Sequence, residues 1–176
     1  MDGGSVNVTL ETNAKVLELS YADRINLTSD DVVLENSEII QPCYIGTNVV
    51  LLVGHGTIRN QVMGSSDRKA NDQEIQQMKE LIQQEMDAGA FGMSTGLFYS
   101  PGSYSNTEEV IALAKTTSKN NGIYDTHLRD ESSYTVGLIP AIEEAIEIGE
   151  QAKLPIHISH IKCLGVDVWY QSDSII

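Results

Sequence analysis

The chain has 176 residues, 41% of them hydrophobic. That is enough for one sizeable core, because a domain near this length removes about two thirds of its unfolded surface from water. A formal charge of -14, from 25 acidic against 11 basic side chains, repels a phosphate backbone and excludes nucleic acid as the expected partner. Cys43 and Cys163 show no C-x-x-C spacing, no apolar run approaches the ~18 residues of a membrane span, and the start lacks the basic-then-apolar order of a leader. The expectation is a cytoplasmic protein with reduced thiols, no cysteine zinc site and no membrane partner.

Residues 6–40 alternate polar with apolar residues in short runs: Val6 to Leu10, Val16 to Leu19 and Val32 to Leu34. This is the pattern of half-buried strands. From Thr47 apolar runs alternate with amphipathic helices, the signature of βαβ units around a parallel sheet. A boundary near Gly46 thus divides a β-rich segment, 1–46, from an α/β portion, 47–176. Asn48 to Val53 reads as the first parallel strand. Asn71 caps the next helix, with Glu74 reaching back to it, and Ile75, Met78, Leu81, Ile82 and Met86 share one face until Gly89 ends it. Ala90 to Ser94 is the second strand. Thr107 opens a helix with Glu108 and Glu109 favourable to its dipole, and Asn120-Asn121-Gly122 closes it. Gly122 to His127 is the third strand, Pro140 to Ala152 the third helix and Leu154 to His160 the fourth strand. The last three strands begin at 90, 122 and 154, a regular βα spacing that suits a barrel or an open doubly wound sheet.

Functional groups in α/β folds collect at the carboxyl ends of parallel strands, where loops open on a rigid base. The four strands lead into Gly54-His55-Gly56, Ser94-Thr95-Gly96, His127-Leu128-Arg129 and His160-Ile161-Lys162. Alternation of side chains puts His127 with Ile123 and Asp125, and His160 with Ile156 and Ile158, while His157 points the other way. Two histidines at adjacent strand ends can either hydrogen-bond locally or share one metal ion, since a zinc–nitrogen bond is about 2.0 to 2.1 Å. His55, between glycines, is expected to satisfy carbonyls of a tight turn, and His157 to pack. Asp125, Asp130, Glu131, Glu143 and Glu144 are acidic groups among which spacing selects no base. There is no complete dinucleotide fingerprint, P-loop or nucleophile elbow.

Four segments carry a resemblance: Leu52-Val53-Gly54-His55-Gly56-Thr57-Ile58-Arg59, Gly89 to Leu97, Tyr124-Asp125-Thr126-His127-Leu128-Arg129-Asp130-Glu131, and Ile158-Ser159-His160-Ile161-Lys162. In this order and spacing they are similar to the D-aminoacylase (N-acyl-D-amino-acid deacylase) family of the amidohydrolase superfamily. The resemblance implies a TIM-type (β/α) barrel, here a partial one of about four βα units behind the β-rich segment. It implies zinc-dependent hydrolysis of N-acyl-D-amino acids, with His127 and His160 as metal ligands, Lys162 on the substrate carboxylate and Phe98 lining the side-chain pocket. The family's early His-x-His strand, bridging cysteine or carboxylate and late aspartate base have no counterpart in this sequence, so no catalytic residue is assigned. Tyr170 stands where the family pattern calls for glycine. Because a full barrel takes about 250 residues, the chain is expected to be part of a longer enzyme. The alternatives are a non-catalytic half-barrel that self-associates through open sheet edges, or an amidohydrolase acting on cyclic amides.

Overall fold

A computed structural model describes the backbone of 8–11, 16–19, 25–27 and 32–34, and then residues 50–175. The chain divides into two compact units, Met1–Val50 and Leu51–Ile176. In the first, β1 (Val8–Glu11) pairs antiparallel with β2 (Val16–Leu19), and β3 (Ile25–Leu27) with β4 (Val32–Leu34). The sequence pattern locates β1, β2 and β4 but passes over β3, where Asn26 interrupts the apolar run that marks the equally short β4. Cys43 and the boundary expected at Gly46 lie outside the described residues.

The second unit is a four-stranded parallel sheet in sequential order, β5 (Leu52–Gly54), β6 (Gly92–Gly96), β7 (Ile123–His127) and β8 (Ile156–Ile158). Parallel neighbours need crossovers, and helices supply them: α1 (His55–Met63) and α2 (Asp72–Asp87), then α3 (Thr107–Lys119), then α4 (Leu138–Ala152). A short α5 (Ser172–Ile175) follows. This is the partial βα barrel architecture expected. The Asn71–Glu74 capping box is present, with the Asn71 side chain accepting from the backbone of Gln73 and Glu74 while the Glu74 carboxylate accepts from Asn71 N–H. The helix α1 is not legible in the sequence, since its His-Gly-Thr start offers no side-chain cap and its apolar residues are few.

Burial alternates along β7 and shows which face is covered: Tyr124 and Thr126 are buried, whereas Ile123, Asp125 and His127 are half-buried. The covered face carries Val53, Met93, Tyr124 and Ile156 against Ile82, Val110, Leu113 and Ile148 of the helices. A Cβ at Gly92 would lie 2.3 Å from the Ile123 carbonyl oxygen, so only glycine lets β6 and β7 approach there. The opposite face holds Ser94, Asp125 and His157 in register, and no helix among the described residues covers it. No helix of the described residues is long and apolar enough to cross a membrane.

Candidate metal centre

The open face ends in a cluster of titratable side chains. His127 closes β7, and its Nδ1 lies 2.9 Å from the Leu128 carbonyl oxygen. A carbonyl only accepts, so Nδ1 carries the proton and Nε2 turns a lone pair towards the cluster. Glu131 follows in the loop after β7, buried, with Oε2 3.8 Å from His127 Nε2. Asp130 fixes that loop by accepting from the backbone N–H groups of Ser132, Thr135 and Gly137. Burial alone would raise the Asp130 carboxyl, but these hydrogen bonds outweigh it and hold the group below the usual carboxylate range.

His160 comes from the turn after β8, with Nδ1 3.2 Å from Glu131 Oε1 and its ring centroid 4.7 Å from that of His127. Donor atoms of His127, Glu131 and His160 all lie within 4.8 Å of one another. The Lys162 ammonium sits among them, donating to Glu131 Oε1 at 2.6 Å and to His160 Nδ1 at 3.0 Å. The Glu131 carboxylate and the His160 imidazole thus meet at a cation, with His127 Nε2 beside the same carboxylate. Tetrahedral zinc with bonds of about 2.0 to 2.1 Å separates its ligand atoms by roughly 3.4 Å, which the observed spacings bracket. The donor set fits a divalent ion.

Two aromatic side chains border the cluster. Phe98 stacks on His127 with centroids 5.9 Å apart, and Tyr99 meets it edge-on at 5.0 Å. Their loop packs against the end of β6: a Cβ on Gly102 would lie 2.7 Å from the Gly96 carbonyl oxygen. Arg129 also holds it, through a hydrogen bond to the Ser103 carbonyl and a bidentate pair with Glu144 of α4 at 2.8 Å each.

Known enzymes are similar to this chain in sequence and in fold. Over 118 residues the chain is 42% identical to a D-aminoacylase of Alcaligenes xylosoxydans xylosoxydans, a match covering 67% of this chain and 24% of that protein. The crystal structure of D-aminoacylase that defines a novel subset of amidohydrolases superposes with a TM-score of 0.68 at 36% identity, over 76% of this chain and 27% of that one. An N-acyl-D-glutamate deacylase from Bordetella bronchiseptica, solved with zinc and a phosphonate inhibitor, superposes equally well, at 0.68 and 32% identity over 73% of this chain and 26% of its own. The matched part of this chain belongs to the D-aminoacylase family of amidohydrolases. No family model matches the chain, which spans about a quarter of the length of the curated relatives it matches.

Within that family portion the structure brings His127, His160, Lys162 and Phe98 to one sheet edge, but by a different route from the one strand parity gives. Asp125 pairs in register with His157, so it is His157 that shares the open face with Asp125 and His127. His157 does not pack: it is exposed, and its Nδ1 lies 2.5 Å from Asp125 Oδ1. The strand β8 stops at Ile158, and His160 reaches the cluster from a turn in which its φ is 38°. His55 is not in a glycine turn but heads α1, buried, with Nε2 3.0 Å from Glu109 Oε1. Glu131, which spacing did not single out, is the donor that completes the cluster; its position four residues after His127 was the available signal. Tyr170 takes φ 66°, the left-handed region that suits glycine.

Proposed function

We propose that this chain contributes part of the active site of a zinc-dependent N-acyl-D-amino-acid deacylase, which releases a D-amino acid and a carboxylate. The convergence of His127, Glu131 and His160 within 4.8 Å at the strand ends carries the reading. Two histidines and a carboxylate form one of the familiar three-ligand sets that leave a position open on zinc. Bound there, the ion would supply Lewis acidity, polarising an amide carbonyl and acidifying water. His127 presents Nε2 because its Nδ1 is held by the Leu128 carbonyl. Lys162, with a flexible stem and a partly exposed ammonium, suits the substrate carboxylate. Phe98, stacked on His127 and part-exposed, suits the acylated side chain. No described residue is assigned as the base. A cytoplasmic location is part of this reading.

Calorimetric titration of zinc into the metal-free chain tests the centre: binding should occur and should vanish in His127→Ala and His160→Ala. Release of D-amino acid from N-acetyl-D-methionine or N-acetyl-D-glutamate by a protein containing this segment tests the reaction, and turnover of cyclic amides instead would replace it. The open sheet favours a second reading for the chain by itself, a non-catalytic half-barrel. Purely parallel sheets are normally covered on both faces, and here one face is uncovered among the described residues. Self-association at micromolar concentration in sedimentation supports that reading, whereas a stable folded monomer removes it.

A further inference from the structure

His160 occupies a conformation that its sequence does not favour. With φ at 38° it lies in the left-handed region, where an L residue carries backbone strain. Continued strand geometry would give His160 the parity of Ile158, on the helix-covered face, away from His127. Something therefore holds the turn that reverses this direction, and the open face shows what does. The Ser159 hydroxyl lies 2.8 Å from Asp125 Oδ1 and 2.9 Å from Oδ2. The Ser159 N–H donates to the Thr126 carbonyl at 3.0 Å, which carries the β7–β8 ladder one residue past the strand. The residue just before His160 is thus pinned by its backbone to β7 and by its side chain to a carboxylate two residues upstream of His127. The same Asp125 Oδ1 accepts from His157, which keeps the carboxylate turned towards β8.

We propose that Asp125 and Ser159 are positioning residues of the metal centre, which lock the Ser159-His160 turn so that the His160 ring meets His127 and Glu131. The proposal rests on the metal reading of this site. It assigns Asp125 no ligand bond: its task is to fix the distance and angle between imidazoles from two strands. A free turn relaxes to negative φ and carries the ring away, so the chain holds a two-donor site in place of a three-donor one.

Cobalt(II) titration of the metal-free chain tests this, with visible d–d absorption as the report on coordination geometry and far-ultraviolet dichroism as the check on folding. Ser159→Ala and Asp125→Ala should each weaken binding by roughly tenfold to a hundredfold, as loss of an outer partner of a metal ligand does elsewhere, and should change the d–d spectrum. Ser159→Thr, which keeps the hydroxyl, should restore both. If Ser159→Ala and Asp125→Ala bind with wild-type affinity and spectrum while His160→Ala does not bind, the positioning role is overturned and the metal reading stands. If His160→Ala binds as the unaltered chain does, the metal reading itself fails. Equal weakening in Ser159→Thr and Ser159→Ala overturns the hydroxyl as the agent.

Discussion

Two of the histidines at parallel-strand ends in this unit, His55 and His127, have surroundings with the same three ingredients. After β5, His55 meets Glu109, which also accepts from Arg59 at 3.0 Å. At the end of β7, His127 lies near Glu131, which also accepts from Lys162 at 2.6 Å. The first cluster is sealed, with His55 and Arg59 both at 0% exposure, whereas the side chains of His160 and Lys162 are 53% and 45% exposed. Composition does not separate them; solvent access and the cation do. Arg59 is committed on every side, its remaining nitrogens donating to the carbonyls of Ser66 at 3.2 Å and Arg68 at 2.5 Å. Lysine is a flexible point charge that can be displaced. One cluster staples α1 to α3, and the other keeps lone pairs available.

The largest expected effect comes from neutralising each carboxylate in turn. Glu109→Gln leaves Arg59 buried without its counter-charge, which costs about 3 to 5 kcal/mol. Glu131→Gln frees an ammonium that reaches water, so the loss should be no more than about 1 kcal/mol, while metal binding falls. Urea unfolding of both variants, with calorimetric titration of zinc into the Glu131 variant, measures the difference. Equal destabilisation would show that both clusters are structural.

Zinc should sharpen the contrast, because a ligand that binds only the folded chain adds stability. At a free concentration a hundred times the dissociation constant the gain is about 2.7 kcal/mol. Thermal unfolding with and without zinc should show that gain in the unaltered chain and in His55→Gln, and none in His127→Ala. A zinc-dependent rise in His127→Ala would place the ion elsewhere.

Much of this was legible beforehand, for identifiable reasons. The four parallel strands, the capping box at Asn71 and the cluster at the β7 and β8 ends follow from periodicity, cap chemistry and the rule that α/β sites open at strand carboxyl ends. The sealed cluster was not, because Glu109 reads as an ordinary first-turn carboxylate and nothing local says that His55 and Arg59 lie across from it, 54 and 50 residues away in sequence. The direction of His160 was not legible either. Parity holds only while a strand lasts, and β8 ends two residues before it.

Acid should reveal the carboxylates on both sides. Burial would raise Glu109, yet the hydrogen bond and charge of His55, with the charge of Arg59, hold it below its ordinary value; Asp130 is likewise held low, against burial, by the backbone of its loop. A group with a depressed folded value contributes stability that is fully present above its unfolded pKa, about 4 for these carboxyls, and lost as pH falls through the folded one. Unfolding free energy should therefore drop below about pH 4, and the drop should be shallower in Glu109→Gln and in Asp130→Asn. An unchanged slope in both variants would mean that neither carboxyl is held low in the folded chain.

The smallest expected effect belongs to the histidine that parity misplaced. His157 lies on the open face with its side chain 71% exposed, and its only described partner is Asp125. Solvent screens such a pair, so His157→Ala should cost less than about 1 kcal/mol. Asp125 keeps both contacts to the Ser159 hydroxyl in that variant, so the turn that carries His160 should persist. Metal affinity should therefore stay within about threefold of the unaltered chain, the scale of a surface ion pair. A loss as large as that of His160→Ala would make His157 a ligand, with Asp125 beside it, and would move the centre one layer down the open face. Calorimetric titration of zinc into the two variants side by side separates the outcomes.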